Sequence, residues 1–342
     1  MSKILTSEQR IAAFVQLGHI LQKPDEQLNG LINSAQQFNA WFTPQSTAMA
    51  FHAIAGMLNK KDLEQWIGTV PEPKSEIRTV FSVGLILAGN IPMVGFHDIL
   101  CVLASGNRAL IKLSSQDQKL IPYVLDKLRE IEPAFDQQIT YIERLKDFDA
   151  VIATGSNNTS RYFDYYFSKV PHIIRKNRNS IAVLDGNESS DQLRALGHDI
   201  FDYFGLGCRN VSKFYVPKAY NFRNFFESIE EFRPVADHHK YNNNYDYNKS
   251  IFLVNQDKHL DNGFLLLKED TRIASPLAVV YYEEYEDLKL LEQELTANES
   301  LIQCLISGTE LQLSTLDFGQ SQQPRLWDYA DGVDTMRFLR DL

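Results

Sequence analysis

A cysteine follows a Gly-x-Gly turn in the run G-L-G-C-R-N-V-S-K-F-Y-V-P at residues 205–217. The thiolate form of cysteine is a nucleophile, and a turn containing two glycines lets a substrate approach the backbone closely. Exposed amide N–H groups at such a turn both lower a thiol pKa and stabilise an oxyanion. Cys208 is therefore the candidate nucleophile, against the commoner fate of a free cysteine as a small buried hydrophobe. Other polar residues stand where ligands could be met. Asn90, just before Ile91-Pro92, carries a carboxamide that can donate to an oxyanion, although Asn in a turn more often bonds its own backbone. Lys112 interrupts the apolar run R-A-L-I-K-L, where an unpaired charge would be costly, so it is expected to emerge and meet a carboxylate or a phosphate. Thr154-Gly155-Ser156 offers hydroxyls and free N–H groups to an anion if it opens a helix, and a plain N-cap otherwise.

The surrounding pattern supplies elements to carry these residues. Residues 79–88, 108–113, 139–142 and 150–153 read as strands, and 95–103, 118–131 and 159–168 as helices. Strands alternating with helices predict βαβ units and a parallel sheet, whose ligands gather at the carboxyl ends of the strands. The loops leaving those ends contain Asn90, then Lys112 with Ser114, then Thr154, Gly155 and Ser156. Before this region, residues 5–74 read as helical, with a break at Pro71 and Pro73. After it, 211–216, 277–282 and 302–306 read as strands, and 222–232 and 288–295 as helices. Residues 241–249, Y-N-N-N-Y-D-Y-N-K, read as a polar surface loop without apolar periodicity. The tail, 325–342, ends in a short helix after Asp331-Gly332 and is expected to dock on the body or on a partner subunit.

Composition excludes several classes. A formal charge of −10 argues against a nucleic-acid surface, and no run of ~18 uncharged apolar residues predicts membrane insertion. Charged residues come too early for a signal peptide, and the odd number of cysteines, 3, fits a reducing compartment; a cytoplasmic protein is expected. The spacing of the cysteines and of His238-His239 offers no metal site, so no metal is expected.

Taken in order, Asn-x-Pro, Gly106-Asn107 leading to Lys112, Thr154-Gly155-Ser156, and Gly-x-x-Cys with Ser212 beyond it resemble the aldehyde dehydrogenase superfamily. The phrases G-N-I-P-M-V-G-F-H-D, S-G-N-R-A-L-I-K-L-S-S and G-L-G-C-R-N-V-S-K are most similar to the acyl-CoA reductases related to the LuxC subunit of bacterial luminescence systems. The resemblance covers the chain from about Ser75 onward. It implies an aldehyde-dehydrogenase-like α/β fold with a helical section at 1–74, a Rossmann-type nucleotide-binding domain at 75–186, an α/β catalytic domain at 187–324 and a tail at 325–342. It implies reduction of a fatty acyl-CoA or other acyl thioester to the aldehyde, through an acyl-Cys208 intermediate. Cys208 would be the nucleophile, and Asn90 with the Cys208 N–H the oxyanion hole. Lys112, with Ser114, would meet the adenosine ribose or its 2′-phosphate, and Thr154, Gly155 and Ser156 the cofactor pyrophosphate. NADPH is the expected cofactor, with NADH an alternative. Expected partners are an acyl-CoA or acyl carrier, and a second copy or another subunit.

Two stretches depart from the superfamily pattern. Where aldehyde-oxidising members carry a glutamate base, residues 172–177 offer H-I-I-R-K-N, and where a glutamate holds the nicotinamide ribose, 272–276 offer R-I-A-S-P. The first departure predicts slow hydrolysis of an acyl-enzyme, with His172 the one residue there able to act as a base. A thiol-dependent acyltransferase or thioesterase, and a non-catalytic acyl-carrying subunit, are the competing readings.

Overall fold

Strand burial explains the layered architecture. Ala150–Thr154 and Val211–Pro217 are buried at every position but the last, and strands buried on both sides in this way belong in parallel sheets covered on both faces. The computed structural model describes residues 5–68, 79–155 and 157–342 and holds two such sheets, each in its own unit. One unit takes the described residues up to Asn177 and from Pro324 onward; the other takes Arg178–Gln323.

The first unit opens on helices α1 (Ser7–Gln22), α2 (Glu26–Ser34), α3 (Pro44–Met57) and α4 (Lys60–Gly68). Thr6 and Gln9 exchange side-chain-to-backbone hydrogen bonds of 3.2 and 3.0 Å, a capping box that satisfies N–H groups the helix cannot. Phe14, Leu17 and Leu21 of α1 are buried, and α1 packs on α3 and α4. The sheet follows as β1 (Ser82–Ile86), α5 (Phe96–Ala104), β2 (Arg108–Lys112), α6 (Leu120–Ile131), β3 (Ile139–Tyr141), β4 (Ala150–Thr154), α7 (Asn157–Phe167) and β5 (His172–Arg175). Its order is β3-β2-β1-β4-β5, all parallel. The chain builds outward from β1 through β2 to β3, then returns to lay β4 on the other side of β1. That reversal places a topological switch between β1 and β4, where the loops after the two strands part and open a crevice. The expected boundary at 74/75 and the site residue Ser156 lie outside the described residues.

In the second unit β6 (Asn179–Val183), α8 (Ser190–Phe201), β7 (Val211–Pro217), α9 (Arg223–Ser228), α10 (His239–Asn255), β8 (Leu260–Asp261), β9 (Leu266–Glu269), β10 (Val279–Tyr285), α11 (Leu288–Ala297) and β11 (Ile302–Ser307) follow in sequence. The sheet order is β11-β6-β7-β10-β9-β8, parallel except for the β8–β9 pair. The division between units falls at Asn177/Arg178, ahead of the 186/187 read from the sequence, because β6 pairs with β7 and β11 rather than with the first sheet.

One expectation is corrected outright: residues 241–249 are the middle of helix α10, not a surface loop. Tyr241, Tyr245, Asn248 and Phe252 recur at helical spacing and are buried, and their polar tips are met: Tyr241 donates to the Phe264 carbonyl (3.0 Å), Tyr245 to Asp261 (2.6 Å) and Asn248 to the Leu277 carbonyl (2.9 Å). The period is carried by Tyr and Asn instead of aliphatic residues, so a hydropathy pattern does not reveal it.

The tail, including α12 (Thr335–Arg340), docks on the chain's own first unit. Arg175, buried at the end of β5, is the clasp: it donates to Asp98 on α5 (3.0 and 2.6 Å), to the Ala330 carbonyl (2.6 Å) and to Thr335 (2.8 Å). Burial pushes the Asp98 carboxyl up, but the adjacent guanidinium outweighs it and holds the group below the usual carboxylate range. Trp66 adds a 2.7 Å bond to the Tyr329 hydroxyl.

Candidate active site

Cys208 is exposed, whereas Cys101 and Cys304 are buried. Burial raises the Cys101 thiol well above its ordinary pKa, so that group stays protonated and inert. Cys208 occupies the second position of a β-turn closed by the Asn210 N–H on the Gly207 carbonyl (3.1 Å). Approach to the turn is made through successive left-handed residues, Tyr203 (φ 53°), Phe204 (φ 60°) and Gly205 (φ 77°). Glycine takes this region freely, but two bulky aromatics in it are strained, and such strain persists only where surrounding contacts over-determine it.

Those contacts are specific. The Asn210 carboxamide, almost fully buried, accepts from the Gly207 N–H (2.8 Å) and donates to the carbonyls of Asp199 (3.1 Å), Ile200 (3.4 Å) and Asp202 (2.8 Å), which are orphaned where α8 ends. Ser180 at the start of β6 donates to the Cys208 carbonyl (3.0 Å). Arg209 bonds the Ser321 carbonyl, and Asp199 accepts from the N–H groups of Gly319 (2.6 Å) and Ser321 (2.9 Å). Burial pushes the Asp199 carboxyl upward, against those accepted bonds. The turn is thus tied to the end of α8, to β6 and to the 319–321 segment, leaving its thiol the exposed part.

Strand β7, which follows the turn, also anchors the R-I-A-S-P segment. Ser212 donates to the Ile273 carbonyl (2.8 Å), and Lys213, fully buried, donates to the Thr271 carbonyl (2.9 Å) and pairs with Glu283. A small recess, open to solvent, lies between that segment and the turn, lined among others by Gly205, Gly207, Asn210, Ser212, Pro276 and Leu277. Cys208 and this recess sit at the amino ends of β6, β7 and β10.

The remaining candidates lie in the first unit, at the carboxyl ends of its strands. Asn90 is exposed in the turn after β1. Lys112 ends β2 exposed, as its charge requires, with its carbonyl accepting from the Leu87 N–H (3.2 Å). Ser114 packs against Gly89: a Cβ on that glycine would stand 2.5 Å from the Ser114 hydroxyl oxygen, so only glycine fits. Thr154 ends β4, and Gly155 follows it into α7. The structure therefore brings Asn90, Lys112, Ser114, Thr154 and Gly155 to one edge of one sheet, flanking its switch point, and puts Cys208 in the other unit.

The stretch with no carboxylate is also placed. Arg175 is engaged by Asp98, Lys176 is exposed, and His172 stands at the amino end of β5 with Nδ1 2.8 Å from the Val170 carbonyl oxygen. Sequence reasoning missed Asn210, Ser180 and Asp117. The first closes a Gly-x-x-Asn turn and the third stands three residues before a helix, both local signals; the reach of Ser180 across the sheet had none.

Comparison with known proteins agrees with this architecture. Residues 74–229 match the family described as acyl-CoA reductase (LuxC). No protein of curated function matches. Among solved structures, aldehyde dehydrogenase 21 of Physcomitrella patens, solved with the product succinate, superposes with a TM-score of 0.68 at 12% identity over 98% of this chain and 84% of its own. The NAD-dependent benzaldehyde dehydrogenase of Corynebacterium glutamicum gives 0.64 at 14% identity, covering 89% and 76%. The indole-3-acetaldehyde dehydrogenase AldA of P. syringae, solved with NAD+, gives 0.64 at 12% identity, covering 90% and 73%. The fold is that of the aldehyde dehydrogenases. Within it, residues 74–229 are similar to the acyl-CoA reductases of the LuxC family, which indicates an oxidoreductase acting on aldehydes or acyl thioesters.

Proposed function

We propose that the protein reduces an acyl-CoA or other acyl thioester to the aldehyde at the expense of a reduced nicotinamide, through an acyl-Cys208 intermediate. The observation that carries this reading is the exposed Cys208 thiol on a turn immobilised from several sides. A nucleophile held in this way meets the carbonyl without ordering itself first. Its thiolate adds to the thioester carbon; the family resemblance assigns the oxyanion so formed to the Asn90 carboxamide and the Cys208 N–H; the C–S bond to the CoA thiol breaks, leaving the acyl group on Cys208. A bound reduced nicotinamide supplies hydride to that acyl carbon. The resulting hemithioacetal then collapses, releasing aldehyde and returning the thiolate.

The first sheet fits the cofactor. Its strand order favours a crevice beside the loops of β1 and β4, with the backbone of Thr154-Gly155 leading towards α7 and Lys112 exposed at the end of β2. Ser156, next in the sequence, belongs to the same proposed assignment to the pyrophosphate. NADPH is the preferred form. An acidic residue after β2 is what usually accepts the ribose 2′-hydroxyl and repels a 2′-phosphate. Here the first carboxylate beyond β2 is Asp117, which is buried and spent on backbone N–H groups, while Lys112 and Ser114 offer a cation and a hydroxyl. The reading is tested by following aldehyde formation from a series of acyl-CoA thioesters with NADPH and NADH. Aldehyde produced with NADPH supports it; release of free acid alone would assign the site to hydrolysis.

A further inference from the structure

A buried carboxylate ties the turn that carries Asn90 to the loop after β2. Asp117, almost wholly buried, accepts the Met93 N–H on one carboxylate oxygen (3.0 Å) and the Leu120 N–H on the other (3.2 Å). Leu120 is the first residue of α6, so the carboxylate satisfies an orphan donor at that helix start. Met93 has φ 61°, a left-handed conformation that a long side chain avoids, and it lies just beyond Asn90-Ile91-Pro92. The Asp117 N–H in turn bonds the Ser114 carbonyl (3.2 Å), and Ser114 is the residue pressed against Gly89. Asn90 is thus bracketed: Gly89 before it is wedged on the β2–α6 loop, and Met93 after it is tethered to the same loop.

We propose that Asp117 is a positioning residue for Asn90, fixing the turn so that the carboxamide is aimed before substrate arrives. The proposal rests on the oxyanion role given to Asn90 above. A preorganised donor is worth far more than a mobile one, because no reorganisation is then needed as charge develops. Asp117 touches neither substrate nor cofactor; it acts through the Met93 N–H. Asp117→Asn keeps the shape and one acceptor but turns an NH2 toward one of the two donors.

The test is a double-mutant cycle on the full chain, with acyl-CoA and NADPH, reading kcat, both KM values and the thermal midpoint of Asn90→Ala, Asp117→Asn and the pair. Asp117→Asn should lower kcat about tenfold, less than the ~10²-fold or greater cost of removing an oxyanion donor itself. Both KM values should stay within about twofold. In the Asn90→Ala background the same change should cost less than about twofold, because the group it aims is gone. Equal losses in both backgrounds, tracking the thermal midpoint, would make Asp117 a helix cap only and overturn the proposal. Should Asp117→Asn not fold, Asp117→Glu offers a second route: it keeps the charge but displaces the carboxylate, so kcat should fall in the wild-type background and not in Asn90→Ala, and equal losses in both would count against the assignment. If Asn90→Ala alone leaves kcat unchanged, the oxyanion role fails, a result distinct from failure of Asp117.

Discussion

The two parallel sheets of this chain present their candidate residues at opposite edges. In the first unit Asn90, Lys112, Ser114, Thr154 and Gly155 stand where strands end and helices begin; in the second, Cys208 stands just before β7 begins. The difference follows from what each edge offers. Strand ends that lead into helices expose backbone N–H groups and a positive dipole end, suited to holding an anionic ligand reversibly. The amino edge of β7 offers no such dipole, but its turn can be tied into α8, β6 and the 319–321 segment at once. Reversible binding needs an edge with donors, and covalent chemistry needs a fixed atom.

Removing the fixed atom should have the largest effect. Cys208→Ala is expected to lower aldehyde formation ~10³-fold or more, as loss of a nucleophile does, with the thermal midpoint unchanged. Cys101 and Cys304, both buried, are the controls: Cys304→Ala should retain turnover. Retention of more than a tenth of the activity by Cys208→Ala would end the comparison, because the second edge would then carry no chemistry.

The next effect lies in the first unit and concerns stability. Asp98→Asn leaves the Arg175 guanidinium buried without its partner and should cost about 3–5 kcal/mol, read by denaturant unfolding. The pH dependence has a definite sign. The folded carboxyl titrates below its unfolded value of ~3.9, so the pair stabilises the fold above that pH and loses its contribution as pH falls through the folded pKa. The variant's acid limb should be correspondingly shallower.

These outcomes bear on how much was legible in the sequence. The βαβ order, the carboxyl-end loops and the turn at Cys208 were readable because each is local: apolar strands, glycines and a nucleophile within a few residues. The strands β5 and β6 escaped notice, each opening on a polar residue, His172 and Asn179, next to the basic run at 175–178. Helix α10 escaped because its buried stripe is tyrosine and asparagine. The clamp on Cys208 was illegible for another reason, since Ser180 and Ser321 reach it only through the fold. The tie between the Asn90 turn and Asp117 is of the same kind.

Loosening that clamp sharpens the contrast between the edges. Asn210→Ala leaves the Gly207 N–H and α8 carbonyls without their partner, costing about 1–3 kcal/mol. It should lower kcat about tenfold while leaving NADPH affinity as it was, because only the fixed atom is disturbed. An equal loss of NADPH affinity would show that the two edges are not separate in function. The smallest effect belongs to Lys112→Ala. Losing one charge-assisted contact should weaken NADPH by roughly tenfold and NADH by less, measured by equilibrium titration. Acylation of Cys208 without cofactor should be untouched, and equal, unchanged affinities for both cofactors would remove Lys112 from the site.

The central claim is that acyl transfer to Cys208 is complete without the first sheet's ligand and that only hydride or a thiol discharges it. It is tested by mixing the protein with a radiolabelled acyl-CoA in the absence of any nicotinamide, and following label on protein and free acid in solution. The residues at 172–177 offer Arg175 engaged by Asp98, an exposed Lys176 and a His172 at the far end of its strand, with no carboxylate to activate water. Label should therefore persist on Cys208 and leave as aldehyde when NADPH is added. Free acid released as fast as NADPH-driven aldehyde forms would contradict the account and show a working deacylation base.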